Sequence, residues 1–229
     1  MSRFSANPRE EQLKLVLHII GYLKKHPNRR IVIDSDDLVM DDGLKKSKFD
    51  HDFMNDYPDA EEEIDSSLPT PYGRELKTSI FFDSDHAHDQ ATRRSISGIL
   101  FFVGSTPAAW ISRRQGCIAT STYCAEFMSM RTAVEECISI RYMLRCLGIP
   151  IKAPTKLFGD NYGVIQSATI PDSEMKKKHI AISYHYVREA IAAGFVDAHW
   201  VSSYENYSDI LTKALGSIIY NDIVHEIMA

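Results

Sequence analysis

Residues 77–115 read KTSIFFDSDHAHDQATRRSISGILFFVGSTPAAWISRRQ. The stretch opens on an apolar run, Lys77 to Asp83, that ends in an acid. Two more runs, Ile96 to Val103 and Ala108 to Arg113, flank a Gly104-Ser105-Thr106-Pro107 turn. Aromatic and branched residues bounded by Gly, Pro and Ser read as strands, and the short turn sets the last two side by side and antiparallel. Further along, Thr122 to Leu147 forms one long helix, stopped by Gly148 and Pro150. Thr155 to Gly159 is a fourth strand with Asp160 at its end, and Tyr162 to Ala168 a short helix. Lys178 to Ala193 is helical and closed by Gly194, Phe195 to Val201 is a fifth strand, and a last helix runs from Asn206 to Leu215. The order βββαβαβα from residue 77 predicts an α/β fold with a five-stranded mixed sheet. No internal repeat is visible.

The N-terminal part differs. Glu11 to Lys25 puts Leu13, Leu15, Val16, Ile19, Ile20 and Leu23 on one helical stripe, ending before His26-Pro27. Arg30 to Asp34 reads as a short strand. Ser35 to Pro71 is acidic and aperiodic, with Pro58, Pro69 and Pro71, and reads as a linker without enough apolar surface to offset ordering. The chain thus divides into 1–34 (helix plus strand), an acidic and largely irregular linker 35–76, an α/β domain 77–215 and a C-terminal tail 216–229.

The formal net charge of -5 hides a split. Residues 34–66 hold thirteen acids against three lysines, which leaves eighteen acids against 23 basic residues elsewhere. The body is therefore mildly basic, and a polyanionic partner is permitted. Cys117, Cys124, Cys137 and Cys146 form no CxxC pair, and no His stands at metal spacing beside them, so a zinc site is not expected. The N-terminus lacks an apolar leader, which points to an intracellular, unsecreted protein with reduced thiols. Ser95 to Ser112 is an uncharged run of eighteen, but four serines, Thr106, Pro107, Gly98 and Gly104 make it two strands rather than a membrane span.

Four acids stand where a carboxylate is costly unless used. Asp83 ends the first strand, Glu126 lies in the first turns of the long helix, Asp160 ends the fourth strand, and Asp209 lies in the last helix. Strand ends and helix starts meet at one sheet edge. Carboxylates gathered there repel one another unless a divalent cation neutralises them, and hard oxygen ligands suit Mg²⁺ or Mn²⁺. Taken singly, Asp83 and Asp160 also suit caps or turns, and Glu126 and Asp209 suit helix dipoles.

The words FFDSDHAHDQATRRSISG, AWISRRQ, STYCAEF, FGDN, KKKHIAISYHYVREAIAAG and NYSDILTKAL follow one another in a fixed order. In order and spacing they resemble the ribonuclease H domain of copia-type LTR retrotransposon polyproteins, over residues 77–215. Residues 1–34 resemble the segment that closes the reverse transcriptase region just upstream. The resemblance implies the ribonuclease H-like fold, a five-stranded mixed sheet with helices on both faces. It implies Asp83, Glu126, Asp160 and Asp209 as catalytic residues and ligands of two Mg²⁺ or Mn²⁺ ions. It also implies endonucleolytic hydrolysis of the RNA strand of an RNA–DNA hybrid, with the reverse transcriptase domain of the same polyprotein as partner. This chain departs in carrying Tyr123-Cys124 before Ala125-Glu126-Phe127. Its loop Ser202–Asn206 also lacks the His that cellular relatives place before the last Asp.

Around the acids, Arg93, Arg94, Arg113, Arg114 and Gln115 suit phosphates or base edges, or else are solvated loop charges. Lys176, Lys177, Lys178 and His179 suit the hybrid backbone on the family pattern, while a plain reading leaves the lysines solvated and gives His179 and His185 cap and core roles. Asn161 and Asn206 read as donors orienting the neighbouring Asp residues, and Asp85 as a supporting acid or a turn residue. Trp110 and Trp200 are expected in the core. Two rivals compete. One is a haloacid dehalogenase-like phosphatase, suggested by Asp83-Ser84-Asp85 but lacking its downstream second acid. The other is a domesticated or decayed fragment that binds nucleic acid without cleaving it.

Overall fold

The structure, a computed structural model, describes residues 10–38, 40, 56–89, 91–170 and 180–228. Its elements are α1 (Glu10–Lys25), β1 (Thr78–Asp85), β2 (Ile96–Val103), β3 (Thr106–Arg114), α2 (Thr122–Cys146), β4 (Thr155–Gly159), α3 (Tyr162–Thr169), α4 (Ala181–Ala192), β5 (Val196–Trp200), a 3₁₀ turn (Tyr207–Leu211) and α5 (Ser217–Ile227). The five strands form one sheet in the order β3-β2-β1-β4-β5. β1–β2 and β2–β3 are antiparallel, β1–β4 and β4–β5 parallel. This is the ribonuclease H-like arrangement expected from the sequence.

A sheet covered on both faces needs strands that are apolar throughout rather than alternating. β1 and β2 meet that need. Ile80, Phe82, Ile99 and Phe101 face a core completed by Phe127, Met130 and Val134 of α2 and by Val187 and Ile191 of α4. Phe81, Leu100 and Phe102 face the other side, against Phe158, Tyr207, Ile223 and Ile227. There the Phe81 ring packs against those of Phe158 and Tyr207, with centroids 4.9 and 4.8 Å away. α2 starts at Ser121, whose side chain accepts from Cys124 N. Just past its end at Cys146, Gly148 has a positive φ (72°) that fits the turn closing a helix.

Five expectations need correction. Arg30–Asp34 is not a strand: Ile33 is exposed, and the Thr106 hydroxyl bonds Asp34 N and O at 2.7 and 2.9 Å, in place of a backbone ladder. The helix expected from Asn206 to Leu215 shrinks to the 3₁₀ turn, because Asn206, Ser208, Asp209 and Thr212 all turn inward and leave no single apolar stripe. Residues 216–229 are no tail, since α5 buries Ile223, Val224 and Ile227. Trp110 lies exposed on the edge strand β3, whereas Trp200 does pack against the core. His185 is exposed on α4, its Nδ1 2.9 Å from the Tyr57 hydroxyl, and is not a core residue.

The acidic linker is irregular where it is described, yet it is fastened. Lys77 Nζ meets Asp37 at 2.5 Å, and Leu38 and Met40 pack against the second core. Glu62 receives both Arg145 and Arg141, the latter fully buried and also bonded to Ala153 O and Thr155 Oγ1. These ion pairs, invisible in composition, supply what apolar burial does not. α1 forms as expected but buries none of its residues. Its Tyr22 ring meets Tyr220 of α5 edge-on at 6.0 Å.

Candidate metal centre

Asp83 and Asp160 stand two residues beyond the Phe81–Phe158 pair of the parallel strands β1 and β4, so both emerge at one sheet edge. α2 is tied to that edge by the Ser129 hydroxyl, which donates to Asp83 O at 2.7 Å. One turn earlier, the same helix face delivers Glu126. A carboxylate oxygen from each of Asp83, Glu126 and Asp160 lies within 4.8 Å of the others. The 3₁₀ turn brings Asp209 to the same edge. Its position is set by Asn206, which is fully buried, donates to Phe82 O at 3.0 Å and accepts from Ser208 N and Oγ.

Asp83, Glu126 and Asp209 are all buried. At an effective dielectric near 20, two charges at this spacing repel by about 3 kcal/mol. Burial, with Asp83 and Asp160 beside it, pushes the Glu126 carboxyl up to about 9. Burial raises Asp209 to about 7, Asp83 and Asp160 adding to the rise and Lys213 opposing it. Asp83 is likewise raised by burial, against the pull of Thr212 and Lys213. Thr212 Oγ1 donates to Asp83 Oδ2 in a short hydrogen bond, and Lys213 Nζ lies 2.8 Å from Asp209 Oδ2 and 3.8 Å from Asp83 Oδ2. Asp160 is oriented from outside: Ser203 Oγ donates to its Oδ2 at 2.8 Å, and Trp200 Nε1 to its carbonyl at 2.7 Å.

Oε2 of Glu126 and Oδ1 of Asp209 are buried without a hydrogen-bond partner. Buried carboxylate oxygens in that state are costly, and a hard cation is what such a donor set accepts. The residues present therefore fit a divalent metal.

Other residues singled out from sequence fall elsewhere. Asp85 ends β1 with its Oδ2 2.5 Å from His88 Nδ1, outside the carboxylate cluster. Arg114 pairs with Asp89 at 2.8 Å, and this guanidinium is the main cause that lowers Asp89 to about 2. Gln115 is buried, its Nε2 donating to Ser97 Oγ and Ala125 O, so it joins β2 to α2. Asn161 caps α3, accepting from Val164 N. The Asn206 contacts fix the 3₁₀ turn rather than a carboxylate. Arg93 is exposed, with a φ of 55°, and Arg94 is half-buried. Lys177, Lys178 and His179 lie outside the described residues. Sequence reasoning missed Thr212 and Lys213, although Lys213 stands four residues after Asp209, a spacing that returns a side chain to the same side of a helical turn.

No family model matches the chain. The Pol polyprotein of transposon RE1 from Arabidopsis thaliana is 26% identical over 227 residues, 99% of this chain and 13% of the relative. That of transposon RE2, from the same plant, is 28% identical over 155 residues, 68% of this chain and 11% of the relative. That of transposon TNT 1-94 from Nicotiana tabacum is 30% identical over 135 residues, 59% of this chain and 10% of the relative. Among solved structures, the N-terminal RNase H domain of a Mycobacterium tuberculosis protein, fused to maltose-binding protein, aligns at a TM-score of 0.47 with 14% identity, over 66% of this chain and 95% of that one. RNase H1 from Halobacterium salinarum aligns at 0.46 with 17% identity, over 64% and 98%. The chain spans about a tenth of the length of the curated relatives it matches. In sequence the chain is similar to these transposon Pol polyproteins over 59–99% of its length, and it is built around a five-stranded mixed sheet.

Proposed function

We propose that this chain is the ribonuclease H segment of a retrotransposon polyprotein and hydrolyses the RNA strand of RNA–DNA hybrids. The observation that carries the reading is the convergence of three carboxylates, from β1, α2 and the end of β4, within 4.8 Å of one another. Asp83, Glu126, Asp160 and Asp209 are the catalytic residues and would hold two Mg²⁺ or Mn²⁺ ions. Bound there, such ions supply an activated water and stabilise the leaving oxygen of a phosphodiester. Thr212 orients Asp83, and Ser203 and Trp200 orient Asp160, so that both carboxylates are aimed before substrate arrives.

A hybrid differs from a DNA duplex by 2′-hydroxyls displayed across a wide minor groove. Arg93, Arg94, Arg113 and Arg114 are candidate cations for the hybrid backbone, as are Lys177, Lys178 and His179, which precede α4 in the sequence. Phosphate contacts provide most non-specific affinity, and few cations are available here. The chain therefore binds hybrid weakly by itself and relies on the reverse transcriptase domain of the same polyprotein, inside the cell. The test is cleavage of a labelled hybrid at low salt, with Mg²⁺ and then Mn²⁺, beside Asp83→Asn/Asp160→Asn. Cutting of RNA only within the hybrid, abolished in the double variant, is expected. A folded chain that binds hybrid and leaves it intact under both metals would overturn the nuclease in favour of a domesticated binding fragment.

A further inference from the structure

The carboxylate cluster is divided. The three oxygens that converge within 4.8 Å belong to Asp83, Glu126 and Asp160, and Asp209 is not among them. Its Oδ2 is occupied instead by the ammonium of Lys213 at 2.8 Å, while its Oδ1 is buried without a partner. The same ammonium reaches Asp83 Oδ2 at 3.8 Å, on the oxygen that Thr212 also holds. Among the described residues, Lys213 is the cation ion-paired with both Asp83 and Asp209. It comes from the solvent side, with its side chain 41% exposed.

We propose that Lys213 is a positioning residue that stands in for one of the two divalent ions. The inference rests on the metal-dependent reading given above. Asp83, Glu126 and Asp160, which no cation among the described residues bridges, would hold the first ion. Asp83 and Asp209 would hold the second only once the Lys213 ammonium withdraws. Two features make that exchange feasible. A lysine ammonium is a compact, strongly hydrated charge on a flexible stem, so its release into water costs little. Asp209 needs no new position, because Asn206 and the 3₁₀ turn already hold its backbone against β1. The two ions therefore bind with unequal affinity, and the metal-free cluster keeps a counterion of its own.

Calorimetric titration of the full chain with Mn²⁺ tests this, comparing parent, Lys213→Met, Lys213→Arg and Asp160→Asn, each checked for folding by circular dichroism. The parent is expected to show a tighter and a weaker event. Lys213→Met should tighten the weaker one by about 10-fold, the repulsion of one neighbouring charge in a largely aqueous setting, and leave the tighter one within about threefold. Lys213→Arg should restore the parent pattern. An unchanged weaker event in Lys213→Met, or a single event in both proteins, overturns the inference. Loss of the tighter event in Asp160→Asn separates that failure from failure of the metal reading, which an Asp160→Asn titration identical to the parent would signal. Should Lys213→Met not fold, the parent alone decides. Acetylation of Lys213 by acetic anhydride, followed by mass spectrometry, should rise at least threefold in saturating Mn²⁺, and an unchanged or lower yield overturns the displacement.

Discussion

Glu126 concentrates the electrostatic cost of the centre. Its carboxyl stays protonated in the metal-free fold up to about 9, whereas an unconstrained glutamate titrates near 4.5. Between those values the folded chain binds more protons than the unfolded chain, so its stability falls as pH rises. The metal-free protein should therefore melt lower at pH 9 than at pH 6, by about 3–10 °C for a loss on the order of 1–3 kcal/mol. Glu126→Gln should flatten that dependence, and Mg²⁺ should raise the parent's melting temperature more at pH 9 than at pH 6. Scanning calorimetry in chelator and in Mg²⁺ measures all three. Equal melting of parent and Glu126→Gln at pH 9 in chelator would show that the buried charge is not the cost. The convergence of Asp83, Glu126 and Asp160 was readable in sequence because strand ends and helix starts are readable. Lys213 and Thr212 were not, because their roles depend on how a short turn sits against β1.

At the scale of elements, the approach of the 3₁₀ turn to β2 is governed by one missing side chain. A Cβ on Gly98 would meet Thr212 Cγ2 at 2.6 Å, Ser208 O at 2.9 Å and Leu211 Cβ at 3.0 Å. Gly98→Ala should push the turn outward and carry Asp209 and Thr212 from Asp83, at about 1–3 kcal/mol of stability. The expected result is a chain that stays folded, loses most hybrid cleavage, and gains less melting temperature from Mg²⁺ than the parent does. β2 ends where its apolar run ends, at Ile96–Val103, because both faces of the strand are buried, and β4, Thr155–Gly159, is buried throughout except at Lys156. The errors fell where a partner decides the outcome. Arg30–Asp34 has strand composition without a ladder, and α5 packs Ile223 and Ile227 into the core cluster of Phe81 and Phe102, which local sequence does not reveal.

For the molecule as a whole, the described parts of the acidic segment act as a strap fastened at Asp37 and Glu62. The half-buried Glu62 is the carboxylate partner of the fully buried Arg141, and its replacement by Ala leaves that guanidinium with carbonyl and hydroxyl partners alone. Losing one member of a buried ion pair costs about 3–5 kcal/mol. Glu62→Ala should therefore lower the urea midpoint clearly while leaving the Mg²⁺-induced melting shift intact, since α2 carries Arg141 and Glu126 at separate sites. Loss of that shift would mean that the strap and the centre are coupled.

Where the strap is tied also governs what the centre feels electrically. Arg141 lies fifteen residues beyond Glu126 on α2, about 22 Å along the axis. Lys77, which holds Asp37, enters β1 roughly 20 Å before Asp83. Both separations exceed twice the screening distance of about 8 Å at physiological salt. These moored acids therefore add almost no repulsion to a polyanion approaching the cleft. The net charge of -5 thus overstates the repulsion a polyanion meets at the carboxylates, because Asp37 and Glu62 are moored far from them.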